Sequence, residues 1–147
     1  MNALYNPALV GGLIGWGIAQ IIKVPLEYLR SKRWNWALLL RAGGMPSSHS
    51  ALITGVAYGI GLHDGFDSPV FALAVAIAMI VVYDATGIRR QAGKHAELIN
   101  AMIQDLAAGH PLKQEQLREV LGHTPLEALG GVMLGFTTAQ LTWLLWR

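Results

Sequence analysis

The chain has 147 residues, 53% of them hydrophobic and only 14% charged, with a mean hydropathy of +0.40. A soluble domain carries about 25% charged residues, so this composition excludes a disordered chain, argues against a water-soluble globule, and fits one membrane-embedded domain over 1–147. The absence of cysteine excludes disulfides and thiolate chemistry, and a net charge of +2 gives no nucleic-acid surface.

The first element is an uncharged run over 3–22. It lacks a basic n-region and a small-residue cleavage site, so it reads as a retained span near 6–29 rather than a signal peptide. A short apolar stretch over 34–40 cannot cross a bilayer and is expected to be interfacial or re-entrant. Further spans are predicted near 47–63, 68–87 and 125–146, the shorter ones reaching about 17–20 residues with polar ends included. Between the last two lies an insertion over 88–124. In it, Ala96, Ile99, Met102, Ile103 and Leu106 recur at helical spacing and predict an amphipathic helix over 93–108. Pro111 opens a second expected helix carrying Leu117, Val120 and Leu121, stopped by Gly122. The fold class is therefore an all-α integral membrane bundle of about four helices. The pairs Gly11/Gly15, Gly55/Gly59 and Gly131/Gly135 suit close helix packing within the bundle, with a homodimer through the same small-residue faces as the alternative.

Of the eleven basic residues, all but Arg147 fall on one side of these spans. The positive-inside rule makes that side cytoplasmic and puts both termini outside. Every residue suited to chemistry lies on the same side. Gly43-Gly44-Met45-Pro46-Ser47-Ser48-His49-Ser50 is a tight loop opening a helix, whose first turn leaves N–H groups free for an anion. Ser47 and Ser48 add hydroxyl donors, one of them as the cap, and His49 is placed to protonate a leaving oxygen. In Gly122-His123-Thr124-Pro125-Leu126-Glu127, His123 and Glu127 stand four apart. A carboxylate against one imidazole nitrogen leaves the other free as a nucleophile. Thr124 and Glu127 equally form a capping box ahead of Pro125. Lys23 and Arg30, seven apart, share a helix face about 10 Å apart along the axis. Snorkelling or pairing with Glu27 is the plain account of Lys23. Asp84-Ala85-Thr86-Gly87-Ile88-Arg89-Arg90 ends the third span with two arginines, which serve either as membrane anchors or as phosphate ligands.

Lys23-x6-Arg30, Pro46-Ser47-Ser48-His49 and His123-x3-Glu127, in that order, resemble the type-2 phosphatidic acid phosphatase superfamily, which includes the vanadium haloperoxidases. The fuller strings around them are similar to its small divergent branch, over nearly the whole chain. The superfamily pattern is Lys-x6-Arg-Pro, Pro-Ser-Gly-His and Ser-Arg-x5-His-x3-Asp. Here Ser31 follows Arg30 in place of proline, Ser48 replaces glycine, and Glu127 replaces aspartate. No Ser-Arg stands at the expected distance before His123. Helix order makes Arg89 the first candidate for that arginine, then Arg90, then Arg118.

The resemblance implies a membrane lipid-phosphate phosphatase acting on a phosphatidate, phosphatidylglycerophosphate or polyprenyl phosphate. Lys23, Arg30, Ser47, Ser48 and an arginine (Arg89 or Arg90) would hold phosphate oxygens. His123 would attack phosphorus to give a phosphohistidine, Glu127 would orient it, and His49 would act as general acid. The scheme implies no metal and no cofactor, and its partners are the lipid substrate and the bilayer, with no nucleic acid. The protein is expected in a bacterial cytoplasmic membrane, or an organelle membrane of bacterial descent, and the positive-inside rule puts the site on the cytoplasmic side. The principal alternative is a non-catalytic anionic-lipid scaffold. A transporter subunit is the weaker alternative, since ion paths place polar groups near the midplane, and a metal-dependent variant through Asp84, Asp105 and the histidines lacks ligand spacing.

Overall fold

Large apolar side chains cover the outside of this molecule. In the computed structural model, which describes residues 6–39, 43–107 and 122–146, the buried hydrophobic residues are eight alanines and Val24, whereas Leu13, Ile14, Trp16, Ile77, Ile80, Met133 and Leu144 are exposed. The largest fully buried side chains are Lys23, Ser47, Ser48 and Ser50. A water-soluble protein buries its leucines and exposes its lysines. The reverse arrangement is what hydrocarbon solvent favours, because lipid tails are as apolar as leucine and helices associate instead through small residues.

Five α-helices make up the described fold: α1 Pro7–Ser31, α2 Ser48–Asp64, α3 Pro69–Thr86, α4 Ile88–Ala107 and α5 Pro125–Leu145, with a short 3₁₀ turn at Trp36–Leu39. Three helices are long and apolar enough to cross a membrane: α1, the run that begins with α3, and α5. The seventeen residues of α2 reach about 26 Å, near the lower limit for spanning. Each of these four starts is marked in the sequence by a cap. Asn6, Ser47, Ser68 and Thr124 accept from Leu9, Ser50, Phe71 and Glu127 backbone N–H groups, and Pro7, Pro69 and Pro125 open three of the helices. The starts therefore fall within one residue of those expected. α4 begins at Ile88, five residues ahead of the predicted 93, because no proline or cap separates it from α3; only Gly87 breaks the run. The helix expected from Pro111, with Leu117, Val120 and Leu121, lies outside the described residues. The stretch 34–39 is a turn, exposed over 34–37 and half-buried at Leu38 and Leu39, whose Trp34 stacks between Tyr28 and Trp36.

α1, α2 and α5 pack mutually, α3 leans on α2, and α4 contacts only α3 among the described elements. The glycine pairs are used inside this bundle. A Cβ on Gly55 would come within 2.9 Å of the Gly12 Cα, one on Gly59 within 2.8 Å of the Ala8 Cα, and one on Gly131 would overlap the Ser47 carbonyl oxygen. The last contact presses α5 onto the first turn of α2, where the polar interior gathers.

Candidate functional site

The loop before α2 turns through Gly43 and Gly44, whose φ values of 107° and 80° lie in the region open to glycine. It delivers the chain to Ser47 with the hydroxyl facing inward. Ser47 caps α2, and Ser50 Oγ donates to Ser47 Oγ at 3.0 Å. The Ser47 N–H donates to the Glu127 carbonyl at 2.8 Å, which ties α2 to α5. The His123 N–H donates to the Ala85 carbonyl at 3.0 Å, which ties the entry to α5 to the end of α3. These two backbone bonds bring three helix ends into one corner.

Lys23 enters that corner from α1. It is 1% exposed and lies eight residues before the end of its helix, about 12 Å inward along the axis. Its ammonium donates to Gln20 Oε1 at 2.6 Å and to Ser48 Oγ at 3.2 Å. Gln20 in turn donates to the Leu39 carbonyl at 3.1 Å. Lys23 is thus not snorkelling to the interface; it is held inward by two neutral acceptors. A cation with neutral partners and free donor capacity is suited to an incoming anion.

Glu127 completes the capping box and also lies beside His123. Its Oε2 accepts from the Thr124 N–H at 2.8 Å, and Thr124 Oγ1 accepts from the Glu127 N–H at 3.3 Å, so the capping box is complete. The same Oε2 lies 3.4 Å from His123 Nδ1. That is ion-pair distance without hydrogen-bond geometry, and Nδ1 is buried with no hydrogen-bond partner among the described residues. Burial pushes the His123 pKa below histidine's ordinary value; Glu127 opposes this, and Lys23 and His49 reinforce it. The imidazole is accordingly neutral near neutral pH, with Nδ1 turned to a carboxylate.

A cavity of about 190 Å³ opens beside these groups, lined by Lys23, Glu27, Arg30, Gly44, Met45, Thr124 and Glu127 among others. Arg30 therefore shares the cavity with Lys23, as expected from their spacing. His49 is exposed on the first turn of α2 and close enough to act electrostatically on His123. Arg89 and Arg90 lie in the first turn of α4, four and five residues past Ala85, whose carbonyl holds His123, but their side chains lie outside the described residues, as does Arg118. Among the described residues no cluster of three or more His, Asp or Glu side chains could hold a metal ion. Gln20 was missed by the sequence reading. Its signal was present, since it stands three residues before Lys23 on the same helix face.

The fold and this corner define a class: an all-α integral membrane protein whose buried lysine, serines and histidine gather at one end of the bundle. The chain belongs to the divergent PAP2 family, whose model matches residues 4–138. It is also similar to the uncharacterized membrane protein YuiD of Bacillus subtilis (strain 168), 39% identical over 146 residues and covering 92% of each chain. No solved structure matches.

Proposed function

We propose that the protein is a metal-independent phosphatase that hydrolyses the phosphomonoester of a lipid phosphate at the cytoplasmic leaflet. The observation that carries this reading is the meeting of buried Lys23, the capped start of α2 and neutral, carboxylate-backed His123 in one corner. Lys23, Arg30, Ser47 and Ser48, with Arg89 or Arg90, would hold the phosphate oxygens. Nε2 of His123 would attack phosphorus. The bond to the lipid oxygen breaks as His49 protonates that oxygen, and water then hydrolyses the phosphohistidine to release inorganic phosphate. Positive charge growing on the attacking imidazole is met by Glu127.

The test is phosphate release by purified protein from phosphatidate, phosphatidylglycerophosphate and polyprenyl phosphate, beside His123→Ala. Release by the wild type and none above background by His123→Ala is the expected outcome; an equally active variant rejects the nucleophile, and silence on all substrates rejects the reading. One feature favours a second reading, a lipid-phosphate-binding scaffold: Glu127 Oε2 is already bonded to the Thr124 N–H and makes no hydrogen bond to His123. Bound lipid phosphate that co-purifies unhydrolysed would support the scaffold.

A further inference from the structure

A long apolar groove of about 510 Å³ runs along α3 where that helix leans on α2 and stands off α5. On α3 its lining extends from Phe71 to Thr86, sixteen residues and about 22 Å. α2 contributes Thr54, Ala57 and Tyr58, and α5 contributes Val132 and Phe136. The near end, Thr86, follows Ala85, whose carbonyl holds the His123 N–H. At the far end Tyr58, Phe66, Phe71 and Phe136 meet ring against ring, with centroids 4.9–6.0 Å apart. Of the four hydroxyl-bearing residues among its twelve lining residues, Thr86 Oγ1 donates to the Val82 carbonyl and Tyr58 Oη to Gln140 Oε1, and Thr54 and Tyr83 are the other two. The groove therefore offers hydrocarbon walls to its occupant and ends beside a nucleophile-bearing corner.

We infer that this groove is the tail site of the protein: it takes one hydrocarbon chain of the lipid phosphate whose phosphate group lies at Lys23 and His123. The inference rests on the proposed function for the position of the phosphate, though not for its hydrolysis. A slot about 22 Å long exceeds the depth of one leaflet, about 15 Å. The seated chain therefore runs past the midplane alongside α3, while a second chain, where the lipid has one, stays in the bilayer. An annular lipid has no phosphate anchor at the near end and gains nothing from the groove's direction.

The experiment uses full-length protein in nanodiscs with a phosphatidate carrying a diazirine at the end of one acyl chain, beside a phosphatidylcholine with the same tail. After photolysis, peptide mapping should place the phosphatidate label on groove residues such as Tyr58, Val75, Met79 and Phe136. Phosphatidylcholine should label the outer faces of α1, α3 and α5 diffusely. Ala78→Phe fills the groove and should cut phosphatidate labelling about tenfold, the factor expected when about two buried methylene groups lose their place. Val75→Phe should do the same if Ala78→Phe does not fold. Ala76→Phe, on the exposed side of α3, should leave labelling unchanged. Phosphatidate label spread like that of phosphatidylcholine, undiminished labelling in the folded groove variants, or label bridging two chains would each overturn the tail site. A protein that is labelled in the groove yet releases no phosphate overturns the catalytic reading and leaves the tail site standing.

Discussion

Glu127→Gln separates the two services that one carboxylate oxygen performs. Glutamine at the third helical position still completes a capping box, so α5 should start where it does now and stability should fall by less than the roughly 1 kcal/mol that losing a cap costs. The charge is what disappears. At 3.4 Å, a full charge on His123 interacts with the carboxylate by about 1 kcal/mol at the dielectric of water and about 5 kcal/mol at an effective dielectric of about 20. Glu127 is 18% exposed at its side chain and His123 6%, so the pair sits between those limits. A loss near 3 kcal/mol in the attacking step slows the plateau rate about a hundredfold. The pH profile carries a second signature. Glu127 raises the His123 pKa against burial, so its removal lowers that pKa further and moves the acid limb of activity to lower pH. Phosphate release measured from about pH 5 to about pH 8, bracketing histidine's ordinary range, reads both. An unchanged plateau with an unchanged acid limb would refute the electrostatic role and leave Glu127 as a cap alone.

Two further outcomes follow from the same corner. Gly131→Ala puts a Cβ onto the Ser47 carbonyl oxygen, a backbone atom that cannot swing aside. It should cost about 1–3 kcal/mol and loosen the start of α2, visible as a lower melting temperature in detergent; an unaltered melting temperature would show that α5 is free to shift. His123 is buried with its pKa below the ordinary 6.5. The unfolded chain then binds the extra proton first, so the stability that His123 contributes is complete above about pH 6.5 and is lost as pH falls toward the folded pKa. Melting in detergent across that window should show the decline, and His123→Gln should flatten it; a parallel decline in the variant would assign it to other groups.

Much of the fold was legible because each spanning helix announces its start. Asn6-Pro7, Ser68-Pro69 and Thr124-Pro125 combine a side-chain acceptor with a residue that has no N–H to satisfy, and the uncharged runs behind them have the length a bilayer demands. The start of α4 was less legible because apolar periodicity begins only at Ala96, while Ile88–Ala92 are helical by continuation from α3. Site residues were legible as a set because they cluster at span ends, but not as contacts. The depth of Lys23 depends on Ser48 and Gln20 accepting from it, and Ser48 reaches it only across the α1–α2 interface. Helix order puts the candidate arginines Arg89 and Arg90 in the first turn of α4 and goes no further.

The placement of Gln20 accounts for how Lys23 is held at depth. A lysine at this depth costs roughly 2.5–3.5 kcal/mol on insertion scales, and salt bridging to a carboxylate would offset that cost while also neutralising the cation. The chain instead satisfies Lys23 with an amide and a hydroxyl, and Gln20 is itself anchored on the Leu39 carbonyl of the 3₁₀ turn. The ammonium is thereby oriented by neutral groups rather than by a carboxylate. On the opposite wall, Glu127 is held by the backbone of its own helix start, so it stays beside His123 without capturing Lys23 in a direct ion pair. Neutral holders for the cation and a backbone holder for the carboxylate keep the two opposite charges apart across a small cavity. That separation is what the proposed function asks of a corner that is to bind a phosphate and present a neutral imidazole to it.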